Sequence, residues 1–305
     1  MTRIAVLGPG GVGGFLAAAL AHAGDDDVTV VGREPTVAAI GDRGIHLTSA
    51  LLGEFTARPA AMAQLSDDVD VLFVAAKATG LDAALSRIRS QPALVVPLLN
   101  GLDHMQRLRE RFATVAAGTI RIESDRPEPG VIVQTSPGVR VELASADPRT
   151  RPALERLAGT LEAAGVPALV GPGEAQILWS KLVRLTALAC TTSASDRPIG
   201  FIRTDPEWRR TLEACVQEAA AVANADGAQL DPAGPLDELE AAHAELGSSM
   251  RRDIAAGREP ELDAIAGSVL RAGRRHGIYC PTITRLSAEI AARAGISPPA
   301  SRTEA

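Results

Sequence analysis

Aromatic residues are scarce in this chain: five Phe, two Trp and one Tyr among 305 residues. A reader of single-stranded nucleic acid stacks bases on aromatic side chains, so this composition argues against that class. A net charge of −6 argues the same way, because gripping a phosphate backbone calls for basic residues. Cysteine is also sparse. Cys190, Cys215 and Cys280 follow no zinc or redox spacing. An odd, scattered set reads as buried or incidental thiols in a reducing compartment. His22, His46, His104, His243 and His276 are dispersed without ligand spacing, so no metal is expected. With few rings available, the core has to be aliphatic and rich in alanine.

Full charges are missing from residues 4–23, IAVLGPGGVGGFLAAALAHA. The run is apolar enough to raise the question of a membrane span or a secretory leader. It holds Pro9 together with Gly8, Gly10, Gly11, Gly13 and Gly14. Glycine and proline at that density break a membrane helix and a leader's apolar region alike. A strand, a turn and a helix account for the same residues. The expectation is a cytoplasmic protein with neither membrane nor nucleic acid as partner.

What is present begins with Thr2–Gly8, a short apolar run of the kind a buried parallel strand shows. Gly8-Pro9-Gly10-Gly11-Val12-Gly13 then fits G-x-G-x-x-G, followed by an alanine-rich helix to Ala23 and a second strand, Asp27–Gly32. That context makes the pattern a dinucleotide-binding fingerprint. Gly8 allows the tight turn, Gly10 lets the backbone approach a pyrophosphate, and Gly13 lets helix and strand pack closely. The helix start offers free N–H groups and a positive dipole end to the phosphates. Arg33 closes the second strand, where an NAD site usually carries an acid. An arginine there pairs with a 2′-phosphate and stacks on adenine, which favours NADP(H). Glu34 follows directly and counts against that reading, and a solvated loop arginine is the plain alternative.

Further strands are expected at Ile45–Ser49, Glu54–Ala57, Asp70–Ala75 and Ala93–Leu98. Lys77 and Asn100 lie just past the last two, at strand carboxyl ends, where open α/β sheets bind ligands. A surface lysine and an Asn-Gly turn are their plain alternatives. Val131–Thr135 and Val139–Leu143 read as a hairpin joined through Pro137-Gly138, Pro152–Gly165 as a helix and Pro167–Val170 as a last strand. From about residue 173 strand signals stop. Helices are expected at Glu174–Ala194, at Pro206–Ala225 with Asp205 as N-cap, at Leu236–Leu246 and at Pro260–His276. The fold class is therefore an α/β Rossmann-type dinucleotide-binding domain followed by an all-helical C-terminal domain. The domains are set at 1–172 for NADP binding and 173–296 for the substrate and catalysis, with Gly171-Pro172-Gly173 as hinge and 297–305 as a disordered tail.

A nicotinamide cofactor carries the hydride, so the protein has to supply orientation and a proton. Reducing a carbonyl builds negative charge on its oxygen, and an ammonium group stabilises that charge and donates the proton. Lys181 stands in a mostly apolar helix, two residues after Trp179. It is a general-acid candidate or an amphipathic lysine whose head reaches solvent. Glu261 follows Pro260 at a helix start, where the dipole favours its charge. It either accepts a hydrogen bond from a substrate hydroxyl or is a routine helix-start acid. Ser248-Ser249-Met250 offers a hydroxyl to a carboxylate or caps a helix.

These elements occur in an order that resembles the ketopantoate reductase (2-dehydropantoate 2-reductase) family. Besides the glycine pattern, they are Lys77, Leu99-Asn100-Gly101, Trp179-Ser180-Lys181-Leu182, Ser248-Ser249-Met250, Asp253, Gly257-Arg258 and Glu261-Leu262-Asp263. The likeness covers roughly residues 1–290. It implies NADPH-dependent reduction of a 2-keto acid, as in pantothenate biosynthesis. Lys181 would be the general acid, Glu261 would bind the substrate hydroxyl and Ser249 its carboxylate. Asn100 would orient Lys181 or the reacting carbonyl, and Arg33 and Lys77 would contact NADP. A homodimer through the helical half is one option.

Three positions depart from the family pattern. Leu185, Ala189 and Ile199 stand where it carries asparagine. Losing three amides leaves fewer partners for a polar hydroxy-keto acid. A larger or less polar carbonyl substrate, or an NADP-binding sensor without catalysis, is the alternative. Thr186, Thr191, Thr192 and Ser193 are the hydroxyls in range to compensate.

Overall fold

A computed structural model describes residues 1–299. The tail expected at 297–305 thus falls, from residue 300 on, outside the described residues. Met1–Leu99 with His104–Ile177 form one compact unit, and Asn100–Asp103 with the chain from Leu178 form another.

The first unit runs β1 (Arg3–Leu7), α1 (Gly11–Ala23), β2 (Asp27–Val31), α2 (Glu34–Arg43), β3 (Ile45–Ser49), β4 (Gly53–Ala57), β5 (Ala60–Met62) and β6 (Val71–Val74). It continues through α3 (Leu81–Leu85), β7 (Leu94–Pro97), α4 (His104–Arg109), β8 (Ala117–Arg121), β9 (Ser124–Glu128), β10 (Val131–Gln134), β11 (Arg140–Ala144), α5 (Arg151–Ala163) and β12 (Ala168–Val170). Five strands form a parallel sheet in the order β5-β2-β1-β6-β7. From β1 the chain first builds outward through β2 and β5, then returns to add β6 and β7 on the other side. The strand order therefore reverses beside β1, and the carboxyl end of β1 is where such a sheet binds its ligand.

A second sheet, β4-β3-β10-β9, lies across α1 from the first. This explains the uncharged N-terminal run. Phe15, Leu16, Ala17, Ala18, Ala19 and Leu20 are all buried, because α1 is enclosed on both sides. A Cβ on Gly14 would collide with Ile132 of β10. The third sheet is β12-β11-β8.

The expected hairpin between Val131–Thr135 and Val139–Leu143 does not form. β10 pairs antiparallel with β9 and parallel with β3, whereas β11 pairs with β8 and β12. The turn that does form is Pro129-Gly130, where Gly130 takes the left-handed φ of 82°. Pro137-Gly138 instead carries the chain from one sheet to another.

The second unit is helical. Its helices are the greater part of α6 (Glu174–Ser195), then α7 (Ile199–Thr204), α8 (Pro206–Ala225), α9 (Ala233–Ala241), α10 (Ser249–Ala255), α11 (Ser268–Arg275) and α12 (Pro281–Ala294). Asp205 caps α8 by accepting from the Glu207 and Trp208 N–H groups, each at 3.0 Å. The helix expected at Leu236–Leu246 lies earlier, at Ala233–Ala241. Pro235 is tolerated in its first turn, where its missing N–H is not needed, and Leu246 instead closes a separate turn onto His243. The helix expected at Pro260–His276 starts later, at Leu262, and opens with a π turn, Asp263–Gly267. Arg271 reaches back to Asp263 Oδ1 at 2.7 Å and to its carbonyl at 3.0 Å. It passes over Gly267, where a Cβ would lie 2.9 Å from Arg271 Nη1. The missing side chain makes room for the wide turn. No helix among the described residues is long and apolar enough to cross a membrane.

Candidate active site

The glycine turn follows β1. Gly8 adopts φ of 90°, and its N–H donates to the Val31 carbonyl at 2.9 Å, tying the turn to the end of β2. A Cβ on Gly13 would collide with the Gly8 carbonyl oxygen. Helix and turn are therefore as close as backbone permits. Gly10 is different. It is the N-cap of α1, with φ of −83° and open space where a Cβ would project. The first turn of α1 holds no acidic residue, and no side chain caps it. Gly11, Val12 and Gly13 thus present backbone N–H groups at a positive dipole end, beside a vacancy at Gly10. That donor set fits an anionic pyrophosphate.

Arg33 is exposed at the carboxyl end of β2 and serves as N-cap residue of α2. Gly32, just before it, packs against Pro9, with a would-be Cβ 3.1 Å from the proline ring. Arg33 and the glycine turn are thereby held on the same edge of the sheet. Lys77 is exposed three residues beyond β6 and leads into a short 3-10 turn, Ala78–Gly80.

In the second unit, Asn100 Nδ2 donates to Glu261 Oε2 at 3.1 Å. Glu261 is 8% exposed and stands two residues before the π turn, its carbonyl accepting from Ile265 N–H at 3.0 Å. The loop carrying Asn100 is anchored densely. Gly101 has φ of 86°, and a Cβ there would collide with the Ala264 carbonyl. Ser268 Oγ accepts from Leu102 N–H at 3.3 Å and lies 3.0 Å from Asp103 Oδ2. Arg271 joins Asp103 to Asp263 through Nη2 at 2.5 Å and Nη1 at 2.7 Å. The loop and the π turn are thus one locked assembly, and it fixes the Glu261 carboxylate.

Lys181 is half-buried on α6. Two residues earlier, Trp179 is 1% exposed and donates from Nε1 to Asp226 Oδ2 at 2.9 Å, pinning α6 to the exit of α8. His276 Nε2 lies 2.8 Å from the other Asp226 oxygen, and Arg275 is 3.5 Å from it. Burial works against the Asp226 charge, but hydrogen bonds from His276 and Trp179, with Arg275 adding, hold its pKa below the usual value.

Beyond Lys181 the helix is apolar where amides are expected: Ala189 and Ile199 are wholly buried and Leu185 is half-buried. Most of the hydroxyls in range are engaged. Thr191 donates to the Ala187 carbonyl at 2.7 Å and Thr192 to that of Leu188 at 2.6 Å. Ser193 lies 3.4 Å from Ser248. Thr186 Oγ1 is buried without a hydrogen-bond partner.

Ser248 caps α10 by accepting from Arg251 N–H at 3.1 Å, and it also bonds Thr192 at 3.0 Å. Its neighbour Ser249 is exposed at the first helical position. Asp253 and Arg258 pair at 2.8 Å, closing the far end of α10. The three cysteines are free and buried, with burial pushing the Cys190 thiol up to about 12. No group of His, Cys, Asp and Glu among the described residues is arranged to hold a metal.

Comparison with known proteins agrees across the chain. Residues 4–147 match the family model described as ketopantoate reductase PanE/ApbA, and residues 175–294 match its C-terminal counterpart. A 2-dehydropantoate 2-reductase of Caulobacter vibrioides is 32% identical over 291 residues, spanning 92% of this chain and 95% of that protein. The crystal structure of 2-dehydropantoate 2-reductase from Geobacter metallireducens GS-15 superposes with a TM-score of 0.86 at 26% identity, covering 94% of this chain and 98% of that one. A ternary structure of D-mandelate dehydrogenase with NADH and anilino(oxo)acetate shares the fold. Its TM-score is 0.87 at 19% identity, over 97% of this chain and 100% of that one.

Proposed function

This chain belongs to the ketopantoate reductase (PanE/ApbA) family, and on that premise we propose that it reduces a 2-keto acid to a 2-hydroxy acid with NADPH. The observation that carries the reading is the bond between Asn100 and Glu261, which fixes a buried carboxylate within the helical unit. When bound, the dinucleotide supplies a hydride to the carbonyl carbon. Gly8, Gly10, Gly11, Val12 and Gly13 cradle the pyrophosphate, and Arg33 and Lys77 contact the dinucleotide. Lys181 stabilises the charge that develops on the carbonyl oxygen and delivers the proton to it. Glu261, oriented by Asn100, accepts a hydrogen bond from a substrate hydroxyl. Ser249, exposed at the start of α10, offers its hydroxyl to the substrate carboxylate.

Leu185, Ala189 and Ile199 favour a second reading of the substrate. With apolar groups at these positions, and Thr191 and Thr192 bonded to their own helix, few amides or hydroxyls remain to hold a small polar keto acid. A bulkier, less polar 2-keto acid suits apolar residues at these positions better than ketopantoate does. The decisive assay follows NADPH absorbance with ketopantoate and with a panel of bulkier 2-keto acids, for the wild type and for Lys181→Ala. Turnover that Lys181→Ala abolishes supports the reductase, and the preferred substrate chooses between the readings. Tight NADPH binding with no turnover of any carbonyl makes the protein a sensor instead. The homodimer is tested by sedimentation velocity, where a species of twice the chain mass supports it.

A further inference from the structure

Strand β9 touches two elements that the dinucleotide reading assigns to the cofactor. At its first residue, Ser124 Oγ donates to the Gly11 carbonyl at 2.9 Å. A Cβ on Gly11 would lie 2.6 Å from the Ser124 carbonyl oxygen. Residues two apart on a strand share a face, and two residues on, Arg126 Nη1 donates to Thr36 Oγ1 at 3.4 Å. Thr36 is buried in the first turn of α2, and its N–H bonds the carbonyl of Arg33, the N-cap residue, at 2.9 Å. The strand thus reaches from the glycine turn to Arg33.

The charges gathered there are unfavourable without a ligand. Neither Arg33 nor Arg126 stands in an ion pair among the described residues, and both lie at the positive end of α2. Arg126 is half-buried. The nearby carboxylates do little to relieve this. Asp125 accepts the Arg126 backbone N–H at 2.8 Å, and Glu34 is exposed to solvent. Burial first, and then the Arg33 charge, make the Arg126 guanidinium easier to deprotonate than usual, with Asp125 opposing in part. Two guanidinium groups beside a helix N-terminus need an oxyanion with several acceptors, and a phosphomonoester supplies one.

We propose that Arg126 is the second arm of a two-arginine clamp, with Arg33, for the 2′-phosphate of an adenosine dinucleotide. The clamp rests on the dinucleotide reading given above and makes Arg126 a specificity-determining residue. A 2′-hydroxyl brings no charge to the clamp, so NAD(H) gains nothing from Arg126.

The test is calorimetric titration with 2′,5′-ADP and with 5′-AMP, which differ only in the 2′-phosphate. It compares the wild type with Arg33→Ala, Arg126→Gln and Arg126→Lys. The wild type should prefer 2′,5′-ADP by at least about tenfold. Arg126→Gln should bring the two affinities to within about threefold while leaving 5′-AMP binding unchanged, and Arg126→Lys should restore part of the preference. Where Arg126→Gln melts markedly lower than the wild type, the lysine variant is judged by the same ratio. Equal weakening of both ligands, or no change in the ratio, overturns the clamp. So does inorganic phosphate binding as tightly as 2′,5′-ADP. If Arg33→Ala collapses the ratio and Arg126→Gln does not, the clamp alone fails. If the wild type binds neither nucleotide nor NADPH, the dinucleotide reading fails first.

Discussion

Asn100 and Glu261 stand 161 residues apart in sequence, and 3.1 Å separates the amide of one from the carboxylate of the other. Glu261 is nearly buried, so this donor helps hold a charge that water cannot easily reach. Asn100→Ala is expected to lower kcat/KM about 10- to 100-fold, because weakening support for a buried charged acceptor costs about 1–3 kcal/mol. Steady-state kinetics against the preferred keto acid checks this. Unchanged kcat/KM would remove Asn100 from the site.

Two glycines of the turn should respond differently. Gly13→Ala drives a methyl into the Gly8 carbonyl and should cost about 1–3 kcal/mol of stability. Gly10→Ala meets open space and has φ of −83°, so the fold should tolerate it. Its methyl would occupy the cradle, however, and dinucleotide affinity should fall at an almost unchanged melting temperature. Thermal melts paired with NADPH titration separate the cases. Normal NADPH binding by folded Gly10→Ala would move the pyrophosphate elsewhere.

The pin between Trp179 and Asp226 should make stability depend on acid. The folded pKa of Asp226 is depressed, so its contribution is complete above the unfolded value of about 3.9 and is lost as pH falls through the folded value. Asp226→Asn should therefore cost about 1–3 kcal/mol at pH 7, and the deficit should narrow below about pH 4. Urea unfolding followed by tryptophan fluorescence at both pH values reads the difference. A gap independent of pH would mean the charge is irrelevant there.

Thiol chemistry gives a further check. Burial holds Cys190 at about 12 and Cys280 at about 11, and Cys215 well above its ordinary value. Native protein at pH 8 should resist an aromatic disulfide reagent, while unfolded protein releases three equivalents. Rapid labelling of the native state would place a thiol at the surface.

Much of this architecture is legible in the sequence where burial is two-sided. β1, β6 and β7 read as continuous apolar runs because both faces of their sheet are covered. α8 is legible because Asp205 and Pro206 mark its start. β9 is not. Its sequence, SDRPE, is charged and holds Pro127, which suits an edge strand bonded on one side only. With no apolar signal at β9, the pattern predicts a hairpin that does not form, and Arg126 carries no local signal of its own. The pairing of Asn100 with Glu261 has no local signal either. A strand end marks Asn100 and a helix start marks Glu261, and the order of short elements shared with the reductases strengthens both, but nothing in their spacing shows that they bond. The π turn escapes periodicity because it goes with a contact between Arg271 and Asp263, eight residues apart, that passes over Gly267.

The loop Asn100–Asp103 belongs with the helices, although both its flanks belong with the strands. The backbone therefore changes units three times, after Leu99, after Asp103 and after Ile177. Neither half can be excised whole by one proteolytic nick or one truncation. A chimera built by a single crossover near residue 177 would take the loop from one parent and its partners Glu261, Ser268 and Arg271 from the other. Descent by swapping halves is thereby penalised, and the loop and the π turn have to change together.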